Sequence, residues 1–203
     1  DSSRRCGRRV FRLSTVTEGR AERRLVTCLF IDIVSSTELT MSIGPERMRR
    51  LVDDAFAAMS SLIATRGGTI EKFVGDAIFA IFGAPVSHAD DAERALRAAE
   101  ACARWAAERR AGATPVAVRI GVESGEALVD VDATEGTRQR MAVGEVVNLA
   151  ARLQGLAEPG EILVGPNCHG ATEHVAQFAD ARQVAPKGLR AVQAWPLIRV
   201  GGD

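Results

Sequence analysis

Two aspartates stand in apolar surroundings, where a carboxylate needs a cation or hydrogen-bond donors to offset the cost of burial. Asp32 lies near the end of the run LVTCLFIDIV, and Asp76 lies inside FVGDAIFAIFG. Two carboxylates that share one site repel each other, and a divalent cation between them removes that conflict. Oxygen ligands of this kind suit Mg²⁺ or Mn²⁺. The alternative for Asp76 is a turn aspartate that accepts hydrogen bonds from backbone amides, because Gly-Asp is common in turns.

Three further polar residues have a spacing that could serve chemistry. Asn148 and Arg152, in GEVVNLAARLQGLA, are four residues apart and therefore share one face of a helix. The spacing alone fits a surface arginine and a structural asparagine equally well. Lys72 is one of two lysines among 26 basic residues, the other being Lys187. Strand alternation places Lys72 on the same face as Asp76 if no bulge intervenes.

The elements that must position these residues are short apolar runs and amphipathic segments. Residues 25–33 form an apolar run of strand length, which indicates a central strand buried on both faces. Residues 69–83 predict two short strands joined by a tight turn at 74–76, and residues 116–131 predict a hairpin that turns at Glu123 to Glu126. Helices are predicted after Asp32, over 89–110 and over 144–157. This order predicts an α+β fold, with an antiparallel or mixed sheet and helices packed on it.

Length and composition restrict the class of protein. The chain has 203 residues, of which 46 % are hydrophobic and 26 % charged, as in an ordinary globular domain. A formal net charge of zero gives no indication of a nucleic-acid partner, and no apolar run reaches the length of a membrane span. Residues 1–21 are interpreted as a basic linker or tail and residues 22–200 as the domain. The four cysteines have the scatter of free thiols, which predicts a reducing, cytoplasmic location.

Three motifs occur together and in order: FIDIVSST, EKFVGDAIFAIFG and VGEVVNLAARLQGLAEPGEILV. This set resembles the class III nucleotidyl cyclases, the adenylyl and guanylyl cyclase family, from about Arg23 to Val200. The finer match is to the bacterial branch that is similar to soluble adenylyl cyclase. The resemblance implies a ferredoxin-like, palm-type sheet. It also implies an enzyme that converts ATP to 3′,5′-cyclic AMP and pyrophosphate.

The resemblance assigns a role to each candidate residue. Asp32 and Asp76 would hold two divalent cations, Mg²⁺ or Mn²⁺, with the backbone of Ile33 as an extra ligand. Asn148 would orient the ribose, and Arg152 would stabilise charge that develops at the α-phosphate. The remaining substrate-binding candidates are Lys72 for the purine base, Met141 and Ala142 beside it, and Ser35, Ser36, Thr37, Lys187, Arg138 and Arg140 for the phosphates.

Met141 departs from the family pattern, which often has aspartate or threonine at this position. Methionine is a weak hydrogen-bond acceptor, so an adenine amino group would have to use a backbone carbonyl near Met141 or Ala142. The alternatives are therefore a weakly active or inactive nucleotide-binding regulatory module, and a cyclase with relaxed selectivity between ATP and GTP. A diguanylate cyclase is disfavoured because the sequence has no GGDEF-like run.

The family takes its metal-binding aspartates from one subunit and its purine-reading lysine, asparagine and arginine from the partner. This chain carries both sets. The resemblance therefore implies a head-to-tail homodimer with two equivalent sites.

Overall fold

The structure, a computed structural model, describes residues 21–34, 36–111, 114–130, 142–185, 188 and 190–201, without the side chains of 36–39, 110, 111, 114, 115 and 130. Its strands and helices follow one another in chain order as β1 (Ala21–Ile33), α1 (Ser36–Ile43), α2 (Pro45–Ala64), β2 (Thr69–Val74), β3 (Ala77–Phe82), α3 (Asp91–Ala107), β4 (Arg110–Ala111), β5 (Thr114–Pro115), β6 (Val118–Asp130), α4 (Glu145–Leu156), β7 (Ile162–Val164), α5 (Pro166–Thr172), β8 (Ala176–Phe178), β9 (Arg182–Val184) and β10 (Val192–Val200).

The main sheet has the strand order β2-β3-β1-β6-β7-β10-β8, with β9 paired to β10. Its centre is the long antiparallel pair of β1 and β6, which are matched residue for residue over 13 positions each. The pairing of β6 with β7 is parallel, and the other strand pairs of this sheet are antiparallel. The predicted α+β fold with a mixed sheet is therefore confirmed.

The two faces of the sheet carry different helices because β1 alternates its side chains between them. One core joins β1 to α2 and α3 through residues such as Leu29, Ile31, Met59, Ile63 and Leu96. The opposite core joins β1 and β3 to α4 through Val26, Cys28, Phe79, Val146 and Ala150. Asp32 is four residues after Cys28 on β1. Because side chains alternate along a strand, Asp32 lies on the same face as Cys28, the face that α4 covers.

The predicted hairpin at Glu123 to Glu126 is wrong, because these residues lie inside the continuous strand β6. Gly125, inside the predicted turn, and Gly121, just before it, allow close packing of α4 instead. A Cβ at Gly121 would collide with the backbone of Ala150 and Gln154, and one at Gly125 would lie 3.1 Å from the Cβ of Val146. Both positions thus let α4 approach the strand closely.

The polar residues of this stretch make hydrogen bonds inside the fold rather than in a solvent-exposed turn, although Oε2 of Glu123 is buried without a partner among the described residues. The hydroxyl of Ser124 hydrogen-bonds that of Thr27 on β1 at 2.8 Å. Oε1 of Glu123 accepts the backbone N–H groups of Ser124 at 2.6 Å and Cys168 at 3.0 Å. Because Cys168 is in the first turn of α5, Glu123 supplies the carboxylate at the start of that helix, where backbone donors lack helical partners.

Burial raises the pKa of Glu123 from its ordinary 4.5 to about 7, although its backbone hydrogen bonds act in the opposite direction. The folded state therefore keeps a proton that the unfolded state releases, and the free energy of unfolding falls as pH rises between these two values. In the wild type, this titration should lower the free energy of unfolding by on the order of 3 kcal/mol as pH rises, and Glu123→Gln should abolish that decrease. Thermal melts at pH 5 and pH 8 measure it, with Glu126→Gln as the control, because Glu126 is on the same strand but exposed. An equal pH dependence in the wild type and Glu123→Gln would contradict the prediction.

Candidate active site

Asp32 and Asp76 meet at one end of the sheet. Asp32 is the penultimate residue of β1, and the strand register places it opposite Ala77 of β3. Asp76 immediately precedes Ala77, in the two-residue turn between β2 and β3. Gly75, the other residue of this turn, has a φ of +63°, which glycine adopts without steric cost. The predicted turn is confirmed, and the Asp32 carboxyl lies within hydrogen-bonding reach of the Asp76 side chain.

The electrostatics of this pair show that the folded chain resists a second negative charge there. Burial, followed by the charge of Asp76, raises the pKa of Asp32 from 3.8 to about 6. Arg119 and a hydrogen bond from Gln154 act in the opposite direction without cancelling the rise. A proton or a cation beside Asp32 relieves the repulsion.

Arg119 is a member of this site that the sequence analysis missed. It lies on β6 directly opposite Asp32, and its Nε is buried with no hydrogen-bond partner among the described residues. An orphaned guanidinium N–H beside a carboxylate pair suits an anionic ligand with several oxygens. The signal was a charged residue inside the apolar run VAVRIGV, but the erroneous hairpin hid its position opposite Asp32.

Lys72 shares a sheet face with Asp32. A β-bulge lies between Ile70 and Lys72, and regular pairing then resumes with Lys72 opposite Phe79. Phe79 stacks on Phe30 of β1 at a centroid distance of 4.4 Å, and Phe30 is two residues before Asp32 on the same face. Lys72 itself is exposed. Its ammonium group is therefore available to a ligand placed over this face.

Asn148 and Arg152 are both exposed and lie one turn apart on α4. The residue of α4 that reaches Asp32 is Gln154. Arg152 precedes Gln154 by two residues, which corresponds to about 200° around a helix. Arg152 therefore points away from the Asp32 of its own chain, and the leading influences on Asp32 include neither Arg152 nor Asn148.

Residues 20–197 match the family described as the adenylate and guanylate cyclase catalytic domain. The chain belongs to this family. It is 32 % identical to adenylate cyclase 1 of Rhizobium meliloti (strain 1021), over 84 % of this chain and 26 % of that protein. The solved structure of the adenylyl cyclase CyaB from P. aeruginosa is similar at a TM-score of 0.80, with 29 % identity over 91 % of this chain and 98 % of that one. The structure of the guanylyl cyclase Cya2 is similar at the same TM-score, with 30 % identity over 90 % of this chain and 95 % of that one.

These comparisons confirm the class III cyclase resemblance and identify the chain as a nucleotide cyclase domain. The cyclase domain spans 15 to 31 % of the length of three curated relatives that it matches. Its relatives include adenylyl and guanylyl enzymes, so the purine base of the substrate must be inferred from the residues of the site and not from family membership. None of the helices in the described ranges combines the length and the apolar character needed to cross a membrane.

The donor set of the cyclase domain fits a hard divalent cation. Among the described residues, no group of three or more His, Cys, Asp or Glu side chains is placed to hold a metal ion. Asp32 and Asp76 are the two carboxylates of the site, and a cation held by them would complete its shell with water and phosphate oxygens, as Mg²⁺ does. The Ile33 side chain is buried in the core on the opposite face, so only its backbone could contribute.

The structure describes only some of the predicted substrate-binding residues of the cyclase domain. Ser36 and Thr37 form the start of α1, which begins three residues after Ile33, and only their backbone is described. Ala142 is buried, and its N–H is directed at Glu71. The predictions for Ser35, Met141, Lys187, Arg138 and Arg140 fall on residues outside the described ranges.

A cavity of about 860 Å³ lies beside the N-terminal half of α4, whereas Gln154 is near the C-terminal end of that helix. Its lining includes Glu123, Glu145, Leu149, Asn167 and Arg190. Neither carboxylate of the candidate site lines it, nor does Lys72. The cavity is therefore separate from the place where Asp32 meets Asp76.

Proposed function

We propose that the domain is an adenylyl cyclase that converts ATP to 3′,5′-cyclic AMP and pyrophosphate. The observation that carries the proposal is the meeting of Asp32 and Asp76 at the end of β1, beside the Nε–H of Arg119, which has no hydrogen-bond partner within the described ranges. Such a site can hold a polyanion only together with cations, and a nucleoside triphosphate bound to Mg²⁺ or Mn²⁺ supplies both.

In the proposed reaction, the ribose O3′ attacks the α-phosphorus and the bond from that phosphorus to the α,β-bridging oxygen breaks. The O3′ proton passes to solvent, and pyrophosphate leaves with the bond's electron pair. Two divalent cations, when bound, would stabilise the attacking and leaving oxygens. Asp32 and Asp76 would hold them, and Arg119 would donate to the phosphate oxygens. The backbone amides at the start of α1 would add further donors for the phosphates, because a helix N-terminus favours anions.

The second half of the site would come from a partner subunit. Arg152 points away from the Asp32 of its own chain, so contact with a substrate held there requires another copy of α4. We propose that Asn148 of the partner orients the ribose and that the partner's Arg152 stabilises charge at the α-phosphate. A head-to-tail dimer supplies both sets twice.

A direct assay tests the proposed activity. The purified domain is incubated with ATP or GTP in the presence of Mn²⁺ or Mg²⁺, and the cyclic nucleotide and pyrophosphate are quantified. We expect cyclic AMP from ATP, with a smaller yield of cyclic GMP from GTP. Nucleotide binding without cyclic product from either substrate would instead indicate a regulatory module, the alternative suggested by Met141.

Lys72 is the residue from which we expect base selectivity. A lysine donates a hydrogen bond to a ring acceptor of adenine, whereas a glutamate accepts one from the donors of guanine. We expect Lys72→Glu to shift the ratio of kcat/KM for ATP over GTP by about 10- to 100-fold towards GTP. Arg152→Ala is the control, because a phosphate contact is common to both nucleotides and its loss should lower both values equally. An unchanged ratio in Lys72→Glu would show that Lys72 does not read the base.

A further inference from the structure

Gln154 is a half-buried residue of α4 that the proposed mechanism does not use. It lies in the last turn of the helix, two residues after Arg152. The carboxyl group of Asp32 accepts a hydrogen bond from its side chain. A hydrogen bond to an ionised carboxylate is roughly twice as strong as one between neutral groups. One of the two carboxylates of the site is therefore held by a donor to which the reaction assigns no role.

The backbone of Gln154 is fixed by the close packing of α4 against β6. A Cβ at Gly121 would collide with the backbone N of Gln154 and would lie 2.9 Å from its Cα, so glycine admits the last helical turn at this point. Gly121 is paired with Phe30 of β1, and Arg119, two residues earlier on β6, is paired with Asp32. Paired residues of antiparallel strands project to the same face, here the face that α4 covers. The helical turn is therefore about 7 Å along the strand from Asp32, a distance that a glutamine and an aspartate side chain together span.

We propose that Gln154 is a positioning residue for the cation-binding half of the site, because its amide holds one oxygen of the Asp32 carboxylate and leaves the other for a divalent cation. The inference rests on the proposed function, in which Asp32 and Asp76 hold the cations. Carboxylates that bind a metal are commonly oriented by such outer hydrogen bonds. The loss of one typically lowers metal affinity or activity by about 10- to 100-fold.

This contact makes α4 a link between the two shared sites of the proposed dimer. Gln154 reaches the Asp32 of its own subunit. Asn148 and Arg152, in contrast, would act at the site whose aspartates belong to the partner. One helix would then carry residues for both sites, and a defect at Gln154 should fall on the site of its own subunit. A residue that only stabilised α4 would affect the other site as well.

The first test measures the requirement for the cation without turnover. Binding of a non-cyclisable ATP analogue is followed by calorimetry over a series of free Mn²⁺ concentrations, in the wild type and in Gln154→Leu, which has a similar size but no donor. We expect the Mn²⁺ concentration for half-maximal binding to rise about 10- to 100-fold. Because Asp32 is retained, kcat for ATP at saturating Mn²⁺ should stay within about 3-fold of wild type. Gln193→Leu is the control, since Gln193 is exposed on β10.

The second test determines to which half of the site Gln154 belongs. At a Mn²⁺ concentration that limits Gln154→Leu, this variant is mixed with Asn148→Ala or with Asp76→Ala, and cyclic AMP formation is measured. Heterodimers in the first mixture keep one intact site, so the mixture should regain about a quarter of wild-type activity. In the second mixture the cation-binding half of both sites is defective, and no activity should return.

The inference is overturned by an unchanged Mn²⁺ requirement in Gln154→Leu, by an equal rise in Gln193→Leu, by recovery in the mixture with Asp76→Ala, or by its absence in the mixture with Asn148→Ala. Should Gln154→Leu fail to fold, Gln154→Met replaces it, because methionine is unbranched like glutamine and also lacks the amide. The same results are then expected. Failure of the proposed function has a different signature: the wild-type domain would yield no cyclic nucleotide, whereas the Mn²⁺ requirement for analogue binding would still differ between the wild type and the variant.

Discussion

Replacing Asp32 with asparagine is expected to lower kcat at least about 1000-fold, equivalent to about 4 kcal/mol of transition-state stabilisation. The amide keeps the size of the side chain but lacks the charge that would hold a cation. The same change should raise the Tm of the cation-free protein at pH 8. The reason is that the pKa of Asp32 rises from 3.8 to about 6 on folding, so its ionised form disfavours the folded state above that range.

The opposite signs of these two effects distinguish loss of a ligand-binding group from loss of the fold. Asp54→Asn is the matched control, because Asp54 is exposed on α2 and should affect neither kcat nor Tm measurably. The prediction is contradicted if Asp32→Asn keeps more than a few per cent of wild-type turnover, or if activity is lost only because the Tm falls.

Mixing two inactive variants is expected to restore activity. Asp76→Ala should remove the cation site of its own subunit, and Asn148→Ala should remove the ribose contact that its subunit gives to the partner, each lowering activity at least about 100-fold. In a heterodimer of the two, both changes fall on one site and the other site is intact. Random pairing makes half of the dimers mixed, so the mixture should regain about a quarter of wild-type activity.

A mixture of Asp32→Ala with Asp76→Ala is the control for this experiment. Both residues belong to the cation half of the site, so every dimer would have a defect in each of its two sites and no activity should return. Activity in the control mixture, or none in the Asp76→Ala and Asn148→Ala mixture, would contradict a site shared between subunits. The measurement is the initial rate of cyclic AMP formation after the variants are mixed and equilibrated.

The sequence predicted those parts of the site that depend on local pattern. An apolar run interrupted by Asp32 and a Gly-Asp pair between two short strands are local signals, and both elements form as predicted. The hairpin at Glu123 to Glu126 was wrong because glycine has two uses that a local pattern cannot separate. It permits turns, and it permits a helix to approach a strand, as Gly121 and Gly125 do beneath α4.

The register between β1 and β6 and the β-bulge in β2 could not be predicted from the sequence. Arg119 is opposite Asp32 only because β6 continues unbroken along β1, a pairing that joins residues 87 positions apart (119 minus 32). The bulge that turns Glu71 and Lys72 to the same face leaves no clear mark in TIEKFV, where the two charges read as solvated strand residues. Gln154 reaches Asp32 through helix packing, which no spacing within α4 indicates.

The central claim is that Asp32 and Asp76 bind divalent cations against the phosphates of a nucleotide, and calorimetry with a non-cyclisable ATP analogue tests it most directly. We expect binding to require Mg²⁺ or Mn²⁺, to be abolished by EDTA and by Asp32→Asn, and to weaken as pH falls through about 6, where a proton competes for Asp32. Equal affinity for the analogue with and without cations, or an affinity for the cation-bound analogue that Asp32→Asn leaves unchanged, would contradict the claim.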